Sequence, residues 1–271
     1  MQFLKKVKQK LSKTKAMSRK IIYSILPWSV LKSPRLRFVL EADPIDCIFY
    51  SLAITKKNVF FVQVGSNDAT HGDPLCNFIF NYNWSGIMIE PVKFVFERLE
   101  KNFSKFKNIT LENVAISTEN GVKNFYHLQE CDDLPVTYDQ LGSFSLETIL
   151  KNSTWIPDIQ ERITTTPVDC MTFTSLCNKH NVSDIDVIHI DTEGFDFEII
   201  KMIDFEKFKP KIILYEHKHL SSTDKAACNA YLQAKNYDLL EMKRDTMAIA
   251  KEAKDKSSLL KAACNIVEKR H

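Results

Sequence analysis

Asp186-Val187-Ile188-His189-Ile190-Asp191-Thr192-Glu193-Gly194-Phe195 is the stretch whose reading decides the fold. An apolar run that stops at two acids and a glycine has the form of a buried parallel strand delivering carboxylates to a cleft. Val59-Phe60-Phe61-Val62-Gln63-Val64, followed by Gly65-Ser66-Asn67-Asp68, has the same form. Two such strands far apart in the chain point to a cofactor-dependent enzyme of the doubly wound class.

Outward from these two runs, apolar strands alternate with amphipathic helices. Residues 86–90 form a second strand ended by Glu90 and Pro91, and Phe94, Leu99 and Phe103 mark the helix after it. A third strand is predicted over 109–116 and an extra one over 122–128, after a turn at Asn120-Gly121. Residues 129–163 lack a clear period and read as an irregular lid or substrate-facing insertion. A short helix around Phe173 and Leu176 precedes the strand 186–191. A helix over 195–208, a fifth strand over 211–216 and a helix over 223–236 follow. Residues 237–242 and 246–250 then read as a terminal antiparallel pair. The expected fold is α/β: three layers around a mostly parallel, seven-stranded, doubly wound sheet, Rossmann-like, with a terminal antiparallel hairpin. The expected domains are a basic helical extension (1–40), the main domain (41–250) with its insertion at 129–163, and a C-terminal helix (251–271).

Charge is distributed unevenly. Residues 1–40 hold eleven Lys or Arg and no acid, so the remaining 26 basic and 34 acidic residues leave the body near −8. Within residues 2–26, Phe3, Leu4, Val7 and Leu11 lean to one face among lysines. That pattern suits a helix packed on the domain or one lying at a membrane surface. An acidic body without a base-reading module argues against nucleic acid. Seven scattered cysteines without a CxxC pair fit a reducing compartment. The expected location is therefore cytoplasmic, peripheral to the inner face of a membrane if residues 2–26 engage it.

The candidate site residues stand at strand ends. Gly65 permits close approach of backbone to a ligand, although a tight turn with an Asx cap explains residues 65–68 equally well. The run is not G-x-G-x-x-G, so no pyrophosphate seat is promised. Glu90 lies 25 residues past Gly65, where a carboxylate can accept hydrogen bonds from ribose hydroxyls. Pro91 fits the first turn of the next helix. Asn113 suits an adenine edge or a backbone bond. Asp191 and Glu193 gather like charge, which a sulfonium, a divalent metal or a raised pKa relieves. Asp191, Glu216 and His217 form a candidate metal set of oxygen and imidazole ligands. His217 suits a general base, with His219 the blander of the two.

Taken in order, these segments resemble the FkbM-type family of S-adenosylmethionine-dependent methyltransferases. The resemblance rests on residues 61–68 with His71-Gly72-Asp73-Pro74, on Trp84-Ser85-Gly86 through Glu90-Pro91, and on Asn113-Val114-Ala115. To these are added residues 187–196 and Pro210 through Glu216-His217; the whole covers roughly 57–250. It implies that Gly65, Asn67 and Asp68 shape the methionine end of the cofactor site. Glu90 would hold the ribose, with Pro91 and Val92 beside the adenine and Asn113, Val114 and Ala115 near the base. Asp191 would sit under the sulfonium and Glu193 would face the acceptor. The family's usual second glycine after the asparagine is replaced by Asp68-Ala69.

S-adenosylmethionine is then the expected cofactor, with Mg2+ on Asp191, Glu216 and His217 as a second. His217, Glu193 and Asp191 are the expected catalytic groups. The resemblance implies a hydroxyl acceptor on a sugar, glycan or lipid-linked small molecule; a homo-oligomer is compatible with it. Two rival readings share the same strand ends. An NAD-dependent oxidoreductase would use Glu90 in the same way but lacks the phosphate-cradling glycines. A non-catalytic Rossmann-like binding module would bind no cofactor.

Overall fold

The computed structural model describes residues 43–131, 133, 138 and 141–268. The segment 2–26, expected to be helical, lies outside them. The described residues divide into two compact units, one of Lys56–Lys254 and one that joins residues 43–55 with 255–268. In the second, helices α1 (Pro44–Thr55) and α9 (Ser258–Glu268) pack together. Helix α1 therefore groups with the C-terminal segment instead of with the main domain, where the sequence places it.

The larger unit is built on β1 (Phe60–Val64), β2 (Ser85–Ile89), β3 (Ile109–Glu112), β8 (Val187–Ile190), β9 (Ile212–Glu216), β10 (Tyr237–Glu241) and β11 (Asp245–Ala250). These strands form one seven-stranded sheet in the order β10-β11-β9-β8-β1-β2-β3. Only β11 runs antiparallel to the other six strands, so the sheet is mostly parallel with a terminal hairpin. Val62, Ile87, Ile188 and Ile213 are buried, as strands covered on both faces require. Helices α2 (Cys76–Tyr82), α3 (Lys93–Phe103), α6 (Phe173–Lys179), α7 (Asp196–Met202) and α8 (Ser222–Ala234) connect them. In α3, Val95, Phe96, Leu99 and Phe103 are buried, the i, i+3, i+4 stripe of a helix on a core.

Register brings the strand ends together. Val64 lies opposite both Ile89 and Ile190, Ile190 opposite Tyr215, and Ile89 opposite Glu112. One residue further on, Gly65, Glu90, Asp191, Glu216 and Asn113 therefore emerge side by side at the carboxyl edge. At the opposite edge the fully buried Asp186 holds the sheet. Its carboxylate accepts from Lys56 Nζ at 2.6 Å, from Lys211 Nζ and from the Phe60 N–H at 2.9 Å.

A second sheet departs from the expectation. The predicted strand over 109–116 breaks: β3 ends at Glu112, and β4 (Ala115–Ile116) joins β5 (Gly121–Leu128), β6 (Gly142–Ser143) and β7 (Ile163–Met171) in the order β4-β7-β5-β6. Strand β7 was not read from the sequence because Pro167 interrupts it. Pro167 is tolerated because β4 pairs only with Cys170 and Met171, leaving that edge free. The described part of the expected irregular insertion is also structured. It holds β6, α4 (Leu146–Leu150), a 3-10 turn (Lys151–Thr154) and α5 (Ile159–Arg162). Its own small core of Leu128, Ile149, Ile156 and Ile159 holds it, too sparse in sequence to register as a period. Among the described residues, no helix is long and apolar enough to cross a membrane.

Candidate active site

The loop after β1 is shaped by the strand beside it. Gly65 has φ +80°, and a Cβ there would strike the carbonyl oxygen of Asp191. Only glycine meets both demands. Asn67 and Ala69 follow at φ +48° and +54°, folding the loop back toward β2. The carboxylate of Glu90 accepts the Asn67 N–H at 3.0 Å and the Val92 N–H at 2.9 Å. Burial pushes its pKa up to about 7, against the pull of those two bonds.

Gly65, Asn67, Glu90 and Pro91 line a cleft with Val114, Ala115, Phe125, Phe144, Asp191 and Glu193. It encloses about 550 Å³ of non-atom space, its open mouth included. The aromatic wall was not read from the sequence. Phe125 and Phe144 meet edge to face at 5.0 Å, and Phe144 meets Phe195 at 5.4 Å. Phe125 comes from β5 of the second sheet and Phe144 lies just past β6, and the pairing of those strands is not legible in the sequence. Together the wall and the carboxylate make a slot that is apolar on one side and accepts hydroxyl donors on the other.

A second cavity adjoins the first, about 1020 Å³ on the same measure. Asn67, Asp191 and Glu193 line both cavities, and Tyr138, Asn152, Trp155, Lys218 and Arg244 line the second alone. Burial, followed by the charges of Glu216, Glu193, Asp196 and Asp245, holds the Asp191 pKa well above the usual carboxylate range. Glu193 has φ +50° and Gly194 φ +100°, and Ser143 Oγ donates to the Glu193 carbonyl at 3.1 Å. The loop thus turns the Glu193 side chain toward the junction of the two cavities.

Several expected roles find other geometry. His217 is not in this group: its Nδ1 lies 2.8 Å from Thr246 Oγ1, and burial lowers its pKa. The reason is a turn at the end of β9. The N–H groups of His217 and Lys218 both donate to the Arg244 carbonyl, which turns His217 toward β11. The Leu220 N–H then closes back on His217 O, which brings His219 over Glu216. His219 Nε2 lies 2.9 Å from Glu193 Oε2 and 3.5 Å from Glu216 Oε2. The Asp191, Glu216 and His217 set is therefore not assembled. Glu193, Glu216 and His219 are, and the Glu216-x-x-His219 spacing was the signal available in the sequence.

Asp68 does not line either cavity. It accepts the Thr70 and His71 N–H groups and pairs with His71 Nδ1 at 2.7 Å, so it holds its own turn. The Asn113 amide donates to the carbonyls of Glu90 at 2.8 Å and Pro91 at 3.0 Å, fixing the adjacent turn instead of facing a base. Val92 packs behind the cleft with Phe125 and Ala115. Beneath the first loop, Gln63 joins Asp73 to His189 Nδ1, the latter at 3.0 Å. Burial raises Asp73 to about 6 and lowers His189 to about 4, which suits a structural network away from both cavities.

Against known proteins, the methyltransferase FkbM domain matches residues 63–239. No curated protein matches the chain. Among solved structures, methyltransferase FkbM of Methylobacillus flagellatus KT is 14% identical over 79% of this chain, with a TM-score of 0.45. This chain spans 52% of the length of that protein. Precorrin-6y C5,15-methyltransferase of Geobacter metallireducens GS-15 is 11% identical over 76% of this chain and 88% of its own, with a TM-score of 0.39. The Methanococcus jannaschii fibrillarin pre-rRNA processing protein is 11% identical over 76% of this chain and 75% of its own, with a TM-score of 0.38. With the FkbM domain matched from β1 to β10, the chain belongs to the FkbM-type family of S-adenosylmethionine-dependent methyltransferases.

Proposed function

We propose that this chain transfers the methyl group of S-adenosylmethionine to a hydroxyl of a sugar, glycan or related small molecule. The observation that carries the reading is the shared wall of two cavities: Asn67, Asp191 and Glu193 line both. A nucleoside in the first would place its ribose hydroxyls at Glu90 and its base along Phe125 and Phe144. An acceptor in the second would meet Trp155, which is 73% exposed, Tyr138 and the Asn152 amide. Aromatic faces with a polar rim and an amide suit an acceptor that is apolar on its ring faces and rich in hydroxyls.

In the transfer, the acceptor oxygen forms its bond to the methyl carbon as the sulfur–methyl bond breaks. The electron pair stays on sulfur, giving S-adenosylhomocysteine, and the hydroxyl proton passes to the Glu193 carboxylate. Holding both reactants in line supplies much of the acceleration, and proton removal by Glu193 contributes about 10²–10⁴-fold. Calorimetry with S-adenosylhomocysteine and with NADH tests the cofactor, and labelled methyl transfer to a panel of sugars and glycans tests the acceptor. Binding of S-adenosylhomocysteine without NADH, and a methyl ether in the product, are the expected results. NADH binding, or methyl transfer only to nitrogen or carbon acceptors, would overturn the reading.

The proposal extends to location. We place the chain in the cytoplasm, with residues 2–26 at the inner face of a membrane that carries a lipid-linked acceptor. The eleven basic residues of 1–40 beside an acidic body support this. Co-sedimentation with anionic liposomes should fall on deletion of 2–26; equal binding of both forms ends the membrane contact.

A further inference from the structure

We propose that Glu193, Glu216 and His219 form a binding site for one divalent transition-metal ion, of the Mn2+ or Zn2+ class, at the wall shared by the two cavities. The three side chains each offer a donor atom, and these atoms lie within 4.8 Å of one another. Their separations fit a common ion. Donors about 2.1 Å from a metal stand about 3.0 Å apart at right angles and about 3.4 Å apart in a tetrahedron. His219 Nε2 lies 2.9 Å from Glu193 Oε2 and 3.5 Å from Glu216 Oε2.

Burial and the absence of aligned hydrogen bonds point the same way. The side chains of Glu216 and His219 are 3% and 5% exposed. Glu216 Oε2, Glu193 Oε2 and His219 Nε2 are buried without an aligned hydrogen bond. Burying three such atoms unsatisfied is costly, and a shared ligand removes the cost. Arg244 donates to Glu216 Oε1 at 2.9 Å, so it fixes the carboxylate while leaving Oε2 directed at the cluster. That is the arrangement of an outer group orienting a ligand.

The donor set also selects the ion. Mg2+ takes oxygen ligands and resists imidazole, whereas one imidazole with two carboxylates suits Mn2+, Fe2+ or Zn2+. This choice differs from the Mg2+ on Asp191, Glu216 and His217 that the strand ends suggest. The ion's place in the reaction rests on the proposed methyl transfer; its binding does not. Bound there, it would supply a Lewis acid for the acceptor oxygen, while Glu193 keeps a second oxygen for the proton.

The test uses the full chain, with Mn2+, Zn2+ and Mg2+ titrated separately by calorimetry after chelator treatment. One equivalent of Mn2+ or Zn2+ should bind, with Mg2+ weaker. Electron spin echo of the Mn2+ form should show an imidazole nitrogen. In His219→Ala that nitrogen signal should vanish and affinity should drop by more than about tenfold, the loss that even an outer group can cause. Glu193→Gln, altered in a less buried loop, should weaken binding if His219→Ala does not fold. S-adenosylhomocysteine binding, measured on each protein, reports the fold and keeps the two readings separate. Cofactor binding without stoichiometric metal, or metal affinity unchanged in the variants, overturns the metal site and leaves the methyltransferase reading standing. Metal binding without cofactor binding does the reverse.

Discussion

On the proposed reading, Glu90 is the side chain of the first cavity that meets the ribose. A buried carboxylate near pKa 7 is half ionised at neutrality, and the ionised form is the better acceptor for ribose hydroxyls. Affinity for S-adenosylhomocysteine should therefore rise as pH rises through about 7. Glu90→Gln keeps the shape and removes the charge; about 1.5–3 kcal/mol per charged hydrogen bond predicts a loss of about ten- to a hundredfold. Calorimetry across pH 6 to 8 reads both effects, and an unchanged Glu90→Gln affinity removes the ribose assignment. The histidines give a contrasting pair. His217 is bonded to Thr246 away from the cavities, so His217→Ala should leave turnover within about twofold of the parent. It should lower stability by about 1 kcal/mol, the worth of one buried hydrogen bond. A collapse of turnover with the cofactor still bound would return His217 to the reaction.

At the scale of elements, the two ends of the sheet do different work. The carboxyl edge gathers Glu90, Asp191 and Glu216 because the registers of β1, β2, β8 and β9 end flush. The amino edge is tied by Asp186, which joins the start of β8 to β1 through Phe60 and to lysines before β1 and β9. Asp186→Ala should cost about 2–3 kcal/mol in urea unfolding. That is less than the 3–5 of a fully buried pair, because Lys56 and Lys211 are 33% and 34% exposed and can be rehydrated. Cofactor affinity should not change, since the residue lies at the far end of the strands; a parallel loss of affinity would show that the edges are coupled. The second sheet was the least legible element. Its strands β4 and β6 have two residues each, too short for any period, and Pro167 hides β7. Yet this sheet supplies Phe125 to the cleft, beside Phe144 just past β6.

For the whole molecule, buried acids set the response to pH. Glu90 is raised from 4.5 to about 7 and Asp73 from 3.8 to about 6, so the folded chain holds protons that the unfolded chain has released. Their contribution is complete below pH 4 and is lost as pH rises through 6 to 7, with a slope of up to about 1.4 kcal/mol per unit for each group. Urea midpoints should show this fall, continued above pH 7 by Asp196, which burial raises to about 8; Glu90→Gln should flatten it near pH 7, and an identical profile would mean that Glu90 is ionised in the folded state. The sequence by itself determined the doubly wound class, the seven strands of the main sheet and the acids at their ends. Apolar runs of strand length stopped by glycine and acid leave few other arrangements. Only the tertiary structure decided which of those groups meet. Asp68 and Asn113 turn to local backbone bonds, His217 turns to β11, and His219 arrives over Glu216 through a turn closed by Leu220. Strand periodicity places a residue at an edge, but a side chain's direction past the last pairing depends on hydrogen bonds with neighbours far away in sequence.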